Sequence, residues 1–144
     1  MANVAETKER VQRFLTQIAS VNIDEHGRYS IRYDSARVFV EVDEFGDDQT
    51  WVRLVCPLLH EVPLTPELYE YVALHSDDYK YGILSVHKSN ETDTVGSLFF
   101  TYGLLGTTLD PDELKLAVGI LVTAANDLDD ELKEKFGGER FHEE

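Results

Sequence analysis

The sequence predicts a two-layer α+β domain, with one mostly antiparallel sheet padded on a single face by the N- and C-terminal helices. Three observations carry this expectation. Stretches near the N-terminus and over residues 110–138 place apolar side chains at helical spacing. Between them, five segments alternate apolar and polar residues at the period of a strand. The links between the first three of these are so short that the strands must form an antiparallel meander. The terminal helices must bury their stripes, and one sheet face is the only large apolar surface on offer.

In chain order, residues 5–20 read as an amphipathic helix. Val4, Val11, Phe14, Leu15 and Ile18 fall on one side, with Glu6, Lys8, Glu9, Arg10 and Arg13 mostly on the other. Asp24-Glu25-His26-Gly27 is a turn. Strand 28–34 sets Tyr29, Ile31 and Tyr33 against Ser30 and Arg32, and Asp34-Ser35 turns the chain. Strand 36–44 directs Val38, Val40 and Val42 inward and Arg37, Phe39 and Glu41 outward. After the turn Phe45-Gly46-Asp47-Asp48, strand 50–62 puts Val52, Leu54, Cys56 and Leu58 on the core side. Pro57 cannot donate to a ladder, which predicts an edge or a bulge late in that strand. Thr65-Pro66-Glu67 opens a second helix over residues 66–75, with Leu68, Tyr71, Val72 and His75 near one side. Strands 81–88 and 94–104 follow, joined by the polar turn 89–93, with Leu98, Phe100 and Tyr102 inward. The order is α-β-β-β-α-β-β-α, a five-stranded sheet.

The closing helix is the most strongly specified element. Asp110 can cap it, Pro111 suits its first position, and Asp112 and Glu113 put negative charge at the positive end of its dipole. Gly137-Gly138 ends it after Lys133 and Lys135. Leu114, Val118, Leu121, Ala125, Leu128 and Leu132 form one stripe. Residues 116–125 are apolar all round except Thr123, which predicts a helix wedged between two neighbours, with Gly119 permitting close approach.

Composition suits one domain over residues 1–138, with 139–144 as a flexible tail. Thirteen basic against 28 acidic residues give a net charge of −15, which argues against nucleic acid and against anionic membrane surfaces. One cysteine, Cys56, allows no internal disulfide. With no apolar signal core and no membrane-spanning run in the sequence, the expectation is a cytoplasmic protein.

Several segments have a familiar pattern: Tyr81-Gly82-Ile83-Leu84-Ser85-Val86, the strand 99–105, Leu109-Asp110-Pro111-Asp112-Glu113-Leu114, and Asp127-Leu128-Asp129-Asp130-Glu131-Leu132 running into Phe136-Gly137-Gly138. On these residues the chain resembles the type III secretion chaperone-like superfamily, in its YbjN-type bacterial branch. The resemblance covers element order along nearly the whole chain and the sequence from about Tyr69 onward. It departs at Leu74-His75-Ser76, where the pattern would have an Asn near the end of the second helix. It implies binding of a peptide or partner protein, often as a dimer, without catalysis.

No catalytic or metal motif stands beside it. His26, His60, His75, His87 and His142 form no HxH or HxxxH array, and Cys56 has no CxxC partner, so neither metal nor cofactor is expected. Cys56 and His60 are four apart on one strand face, about 13 Å, too far for a nucleophile pair. The runs Asp47-Asp48, Asp77-Asp78 and Asp127 to Glu131 lack the calcium-loop pattern and read as solvated turns or faces. Gly103 and Gly106 make no phosphate loop.

The informative feature is the outer sheet face. If helices cover the Val40/Leu54/Phe100 side, the other side presents Phe39, Trp51, Val55, Leu59, Ile83 and Phe99, more apolar than a solvated face requires. The reading is a non-catalytic protein- or peptide-binding module, chaperone-like or regulatory, acting alone or as a homodimer, with aromatic anchors on this face and acidic rims setting orientation. The plainer alternative is that the second helix covers those rings. Another alternative is a small-molecule or enzymatic pocket between the second helix and the sheet, lined by Tyr69, Tyr71, His75 and His87. A third is a structural adaptor with one obligate partner.

Overall fold

The structure, a computed structural model, describes residues 3–33 and 36–141. The expected Asp34-Ser35 turn and the tail from residue 142 lie outside the described residues. The elements are α1 (Val4–Thr16), β1 (Val21–Ile23), β2 (Tyr29–Tyr33), β3 (Ala36–Phe45), β4 (Gln49–Pro63), α2 (Pro66–His75), β5 (Ile83–Lys88), β6 (Val95–Leu105), α3 (Pro111–Phe136) and β7 (Glu139–Arg140). The strands form one antiparallel sheet in the order β1-β2-β3-β4-β6-β5, with β7 paired to β4. The α+β class is as expected, but the sheet has seven strands rather than five.

Both additional strands are too short to show a period of two. β1 exists because Asp24 closes a hairpin onto β2: its Oδ1 accepts from the backbone N–H groups of His26 and Arg28, both at 2.9 Å. Its Oδ2 accepts from Arg28 Nε at 3.1 Å. These donors, the Arg28 backbone first, hold the Asp24 carboxyl below the usual carboxylate range. β7 gives residues 139–140 a place in the sheet, where the sequence suggested a loose tail.

The helix ends follow from their caps. Asn3, Thr65 and Asp110 each accept a backbone N–H in the first turn of α1, α2 and α3, at 2.9, 3.1 and 2.7 Å. Gly137, at φ 80°, stops α3 and donates its N–H to Lys133 O at 2.8 Å. α1 ends at Thr16, short of the expected residue 20. It is fastened to the sheet by a buried hydroxyl pair, Thr7 Oγ1 to Thr50 Oγ1 at 2.8 Å, and by Arg10 Nη2 donating to Gly106 O at 2.8 Å.

The core lies between the sheet and the helices. Val38, Val40, Val52, Leu54, Cys56, Leu98 and Phe100 are buried under α1 and α3. Each fully buried Leu or Phe contributes roughly 1.5–3 kcal/mol. Cys56 belongs to this layer: burial, with the Asp129 charge adding to it, pushes its thiol up to about 12. α2 packs on the same side, its Tyr71 ring 5.3 Å from Phe136 of α3 and its C-terminal end beside Leu84 of β5. It does not cover the outer rings.

Two expectations need correction. α3 is not enclosed on both sides: Leu116 is 52% exposed, Gly119 and Thr123 are exposed, and no atom lies within 4 Å of a Cβ placed on Gly119. The short α2 reaches only the C-terminal half of α3, beside Leu128, Glu131 and Lys135, and leaves the apolar stretch one open side. The second concerns β4. The bulge that Pro57 foretold is present, since Pro57 pairs with Phe99 but Leu59 with Leu98, and a second shift follows before Val62. Glu61 takes φ 54° at that second shift. The slip turns Leu59 inward, so Leu58 and Leu59 are both buried.

Candidate functional site

The pleat lays the outer face out in rows. Registry sets Trp51 beside Leu105 and Asp43 in one row. Phe39, Val55, Thr101 and Ile83 run across four strands in another. Pro57, Phe99 and Ser85 form a third. Five of the six residues expected here are on this face: Phe39, Trp51, Val55 and Phe99 are half-buried, and Ile83 is 52% exposed. Leu59 is not among them, because the bulge moved it into the core at 0% exposure.

Each ring is braced by a neighbour, so these aromatics stand in fixed places. The Arg28 guanidinium lies 4.1 Å over the Phe39 ring and is itself held by Asp24. Trp51 packs on Phe45 with centroids 5.3 Å apart, and its indole lies against Gly103, where a Cβ would come within 2.0 Å of the ring. That is a close approach only glycine permits. Phe99 meets His87 edge-on at 5.2 Å and Phe141 at 5.9 Å, and Phe141 meets His60 at 4.8 Å.

Sequence reasoning missed Phe45, Leu105, His87 and Phe141 as members of this surface. Phe45 and Leu105 were legible as one more step of the alternation in β3 and β6. His87 follows Ile83 and Ser85 at spacing two. Phe141 had no signal, since it depends on β7. Charge on this face is mixed, with Glu41 and Asp43 among its acids. Registry places Arg32 directly opposite Arg37 and Arg53 opposite Glu41 on this face, beside Arg28. Further acids lie on α3, at Asp127, Asp130, Glu131 and Glu134. Cys56 and His60 lie on opposite faces, not on one.

Two concavities border α3. Between α2 and α3, Tyr71, His75, Asp78, Tyr79, Glu131 and Lys135 surround about 270 Å³. His75 Nδ1 and Asp78 Oδ2 are 2.8 Å apart there, and burial raises the Tyr71 and Tyr79 hydroxyls above their ordinary range. The space is below the roughly 300–1,000 Å³ of ligand pockets. Of the four residues expected to line a pocket by the second helix, Tyr71 and His75 do, Tyr69 is exposed, and His87 is on the outer face. Along the open side of α3, Leu116, Gly119, Ile120 and Thr123 with Tyr79 border a groove of about 750 Å³. Among the described residues no three His, Cys, Asp or Glu side chains converge as metal ligands, and no helix is long and apolar enough to cross a membrane.

A family model described as TY-Chap1, T3SS (YopN, CesT) and YbjN peptide-binding chaperone 1, matches residues 5–144. The chain belongs to this family. The TY-Chap1 match spans every element from α1 to β7, so it covers the first half as well as the C-terminal segments that carried the resemblance. No curated protein matches the chain. The family's description names peptide-binding chaperones, and this TY-Chap1 chain has a sheet with all three helices on one side and braced aromatic rings on the other.

Proposed function

We propose that this chain is a non-catalytic peptide-binding chaperone that holds an apolar segment of a client protein on its outer sheet face. The observation that carries the reading is the uncovered row of Phe39, Val55 and Ile83 between the Trp51 and Phe99 clusters. Rigid aromatic anchors of this kind supply contact energy at low entropic cost. Arg28 stacks on Phe39, and the neighbouring arginines would receive client carbonyls or carboxylates. Homodimerisation belongs to the proposal as well. Each copy carries −15, so association would strengthen as salt screens that charge, and light scattering at two ionic strengths tests it.

The test is a panel of arrayed peptides probed with the full chain, Phe99→Asp and Leu116→Asp, each verified as folded by circular dichroism. The expected result is a bound subset rich in apolar residues that Phe99→Asp loses and Leu116→Asp keeps. Binding retained by Phe99→Asp, or lost only with Leu116→Asp, would move the site off the sheet and onto the α3 groove.

A further inference from the structure

The outer face is already partly filled, by the chain itself. Beyond Phe136 the backbone takes positive φ at both Gly137 and Gly138 and rounds the edge of the sheet. It passes so close to β4 that a Cβ on Gly138 would lie 2.7 Å from Val62 Cγ2 and 2.9 Å from His60 O. Glu139 and Arg140 then pair with His60 and Leu59, past Val55, the last β4 residue that β3 is registered against. The next residue, Phe141, lays its ring against His60 at 4.8 Å and Phe99 at 5.9 Å. An aromatic side chain on a short extended segment thus occupies one end of the proposed site.

A short ladder holds the backbone of that segment. The strand is two residues long and hinged on two glycines, and Glu139 is mostly exposed beside His60 at 3.6 Å. An ion pair from Arg140 to Asp130 of α3 ties it to the helix layer. Partly exposed pairs of this sort contribute little. The ring is what the segment delivers to the outer face.

We propose that residues 137–141 are an internal ligand: Phe141 occupies the slot formed by Phe99 and His60, and a client enters by displacing it with an aromatic residue of its own. The client chemistry this fits is an extended segment bearing a Phe, Tyr or Trp. The inference rests on the outer-face reading. It adds the anchor residue class and a built-in competitor that keeps the slot covered until a better-fitting segment arrives.

The experiment uses the full chain and a fluorescein-labelled Gly/Ser peptide bearing one central Phe, with a Phe-to-Ala twin as reference, read by fluorescence anisotropy. If the tail fills the slot about nine-tenths of the time, Phe141→Ala should tighten binding of the Phe peptide about tenfold, since apparent affinity scales with the competent fraction. Gly138→Ala, which lifts the tail from β4 without altering its ring, should move affinity in the same direction. The Ala twin should bind neither variant better than it binds the original chain. Equal affinity of the Phe peptide for the original chain and both variants, or no binding to any of them, overturns the proposal. If peptides on the array still bind and Phe99→Asp still loses them, only the internal ligand falls and the outer-face reading stands.

Discussion

Phe99 and Phe100 are the same side chain, one residue apart on β6, and they do different work. Phe100 points into the layer between sheet and helices, with 0% exposure, its ring edge-on to Tyr79 at 5.4 Å and pressed against Gly82. Phe99 points the other way and stays half-buried, its neighbours being His87 and a ring from the end of the chain. The alternation of a strand assigned these roles, not the residue type. The inner face is packed with aliphatic side chains under helices, and its task is stability. The outer face is paved with rings whose neighbours include a guanidinium and imidazoles, and its surplus apolar area is what the proposed recognition would use.

The largest expected effect separates the two phenylalanines. Phe100→Ala should cost about 3–5 kcal/mol in urea unfolding, from lost transfer energy and an unfilled cavity. Phe99→Ala should cost roughly 1 kcal/mol, because its ring is only partly removed from water. Equal costs would break the comparison and mean that the outer rings are core.

A middle-sized effect sharpens it from the thiol on the inner face. The folded-state value of Cys56 is raised to about 12, so the folded protein keeps the proton that the unfolded chain has released. That stability is fully present below the ordinary thiol value and is lost as pH rises toward 12. By pH 10.5 the loss should reach roughly 2 kcal/mol. Urea midpoints of the original chain and Cys56→Ala, followed from neutral to alkaline pH, should converge by that amount. Parallel curves would mean that Cys56 is not in a dry layer.

The smallest effect contrasts two glycines. Gly82→Ala would put a methyl 2.4 Å from Phe100 Cζ at φ +117°, and should destabilise by about 1–3 kcal/mol. Gly119→Ala, on the open side of α3, meets nothing within 4 Å and should stabilise by about 1 kcal/mol. Thermal midpoints moving in opposite directions would confirm that α3 is packed on one side only.

The elements that were legible in advance had strong local grammar. α2 was read at its residues 66–75, because Thr65-Pro66 starts it and Ser76 lies past a short apolar stripe. The inner face of β3 and of β4 up to Leu58 followed from strict alternation. Errors began where a non-local event intervened. The slip after Pro57 turned Leu59 inward, and nothing in a period of two announces where a bulge closes. β1 and β7 exist through the Asp24 turn and the Gly137-Gly138 hinge, which ask for partners far along the chain. The open side of α3 was hidden because apolar periodicity cannot say how long the neighbouring helix will be. The outer site was legible as a patch, but its arginines and Phe141 required the register.

Trp51 is the only tryptophan, and it lies half-buried on the outer sheet face, its indole against Gly103. An arriving segment that shields the indole would shift its emission toward the blue and protect it from iodide quenching. The molecule therefore carries its own optical gauge of occupancy. If the proposed outer face is the site, loading and release of a client would be followed in real time on unlabelled protein.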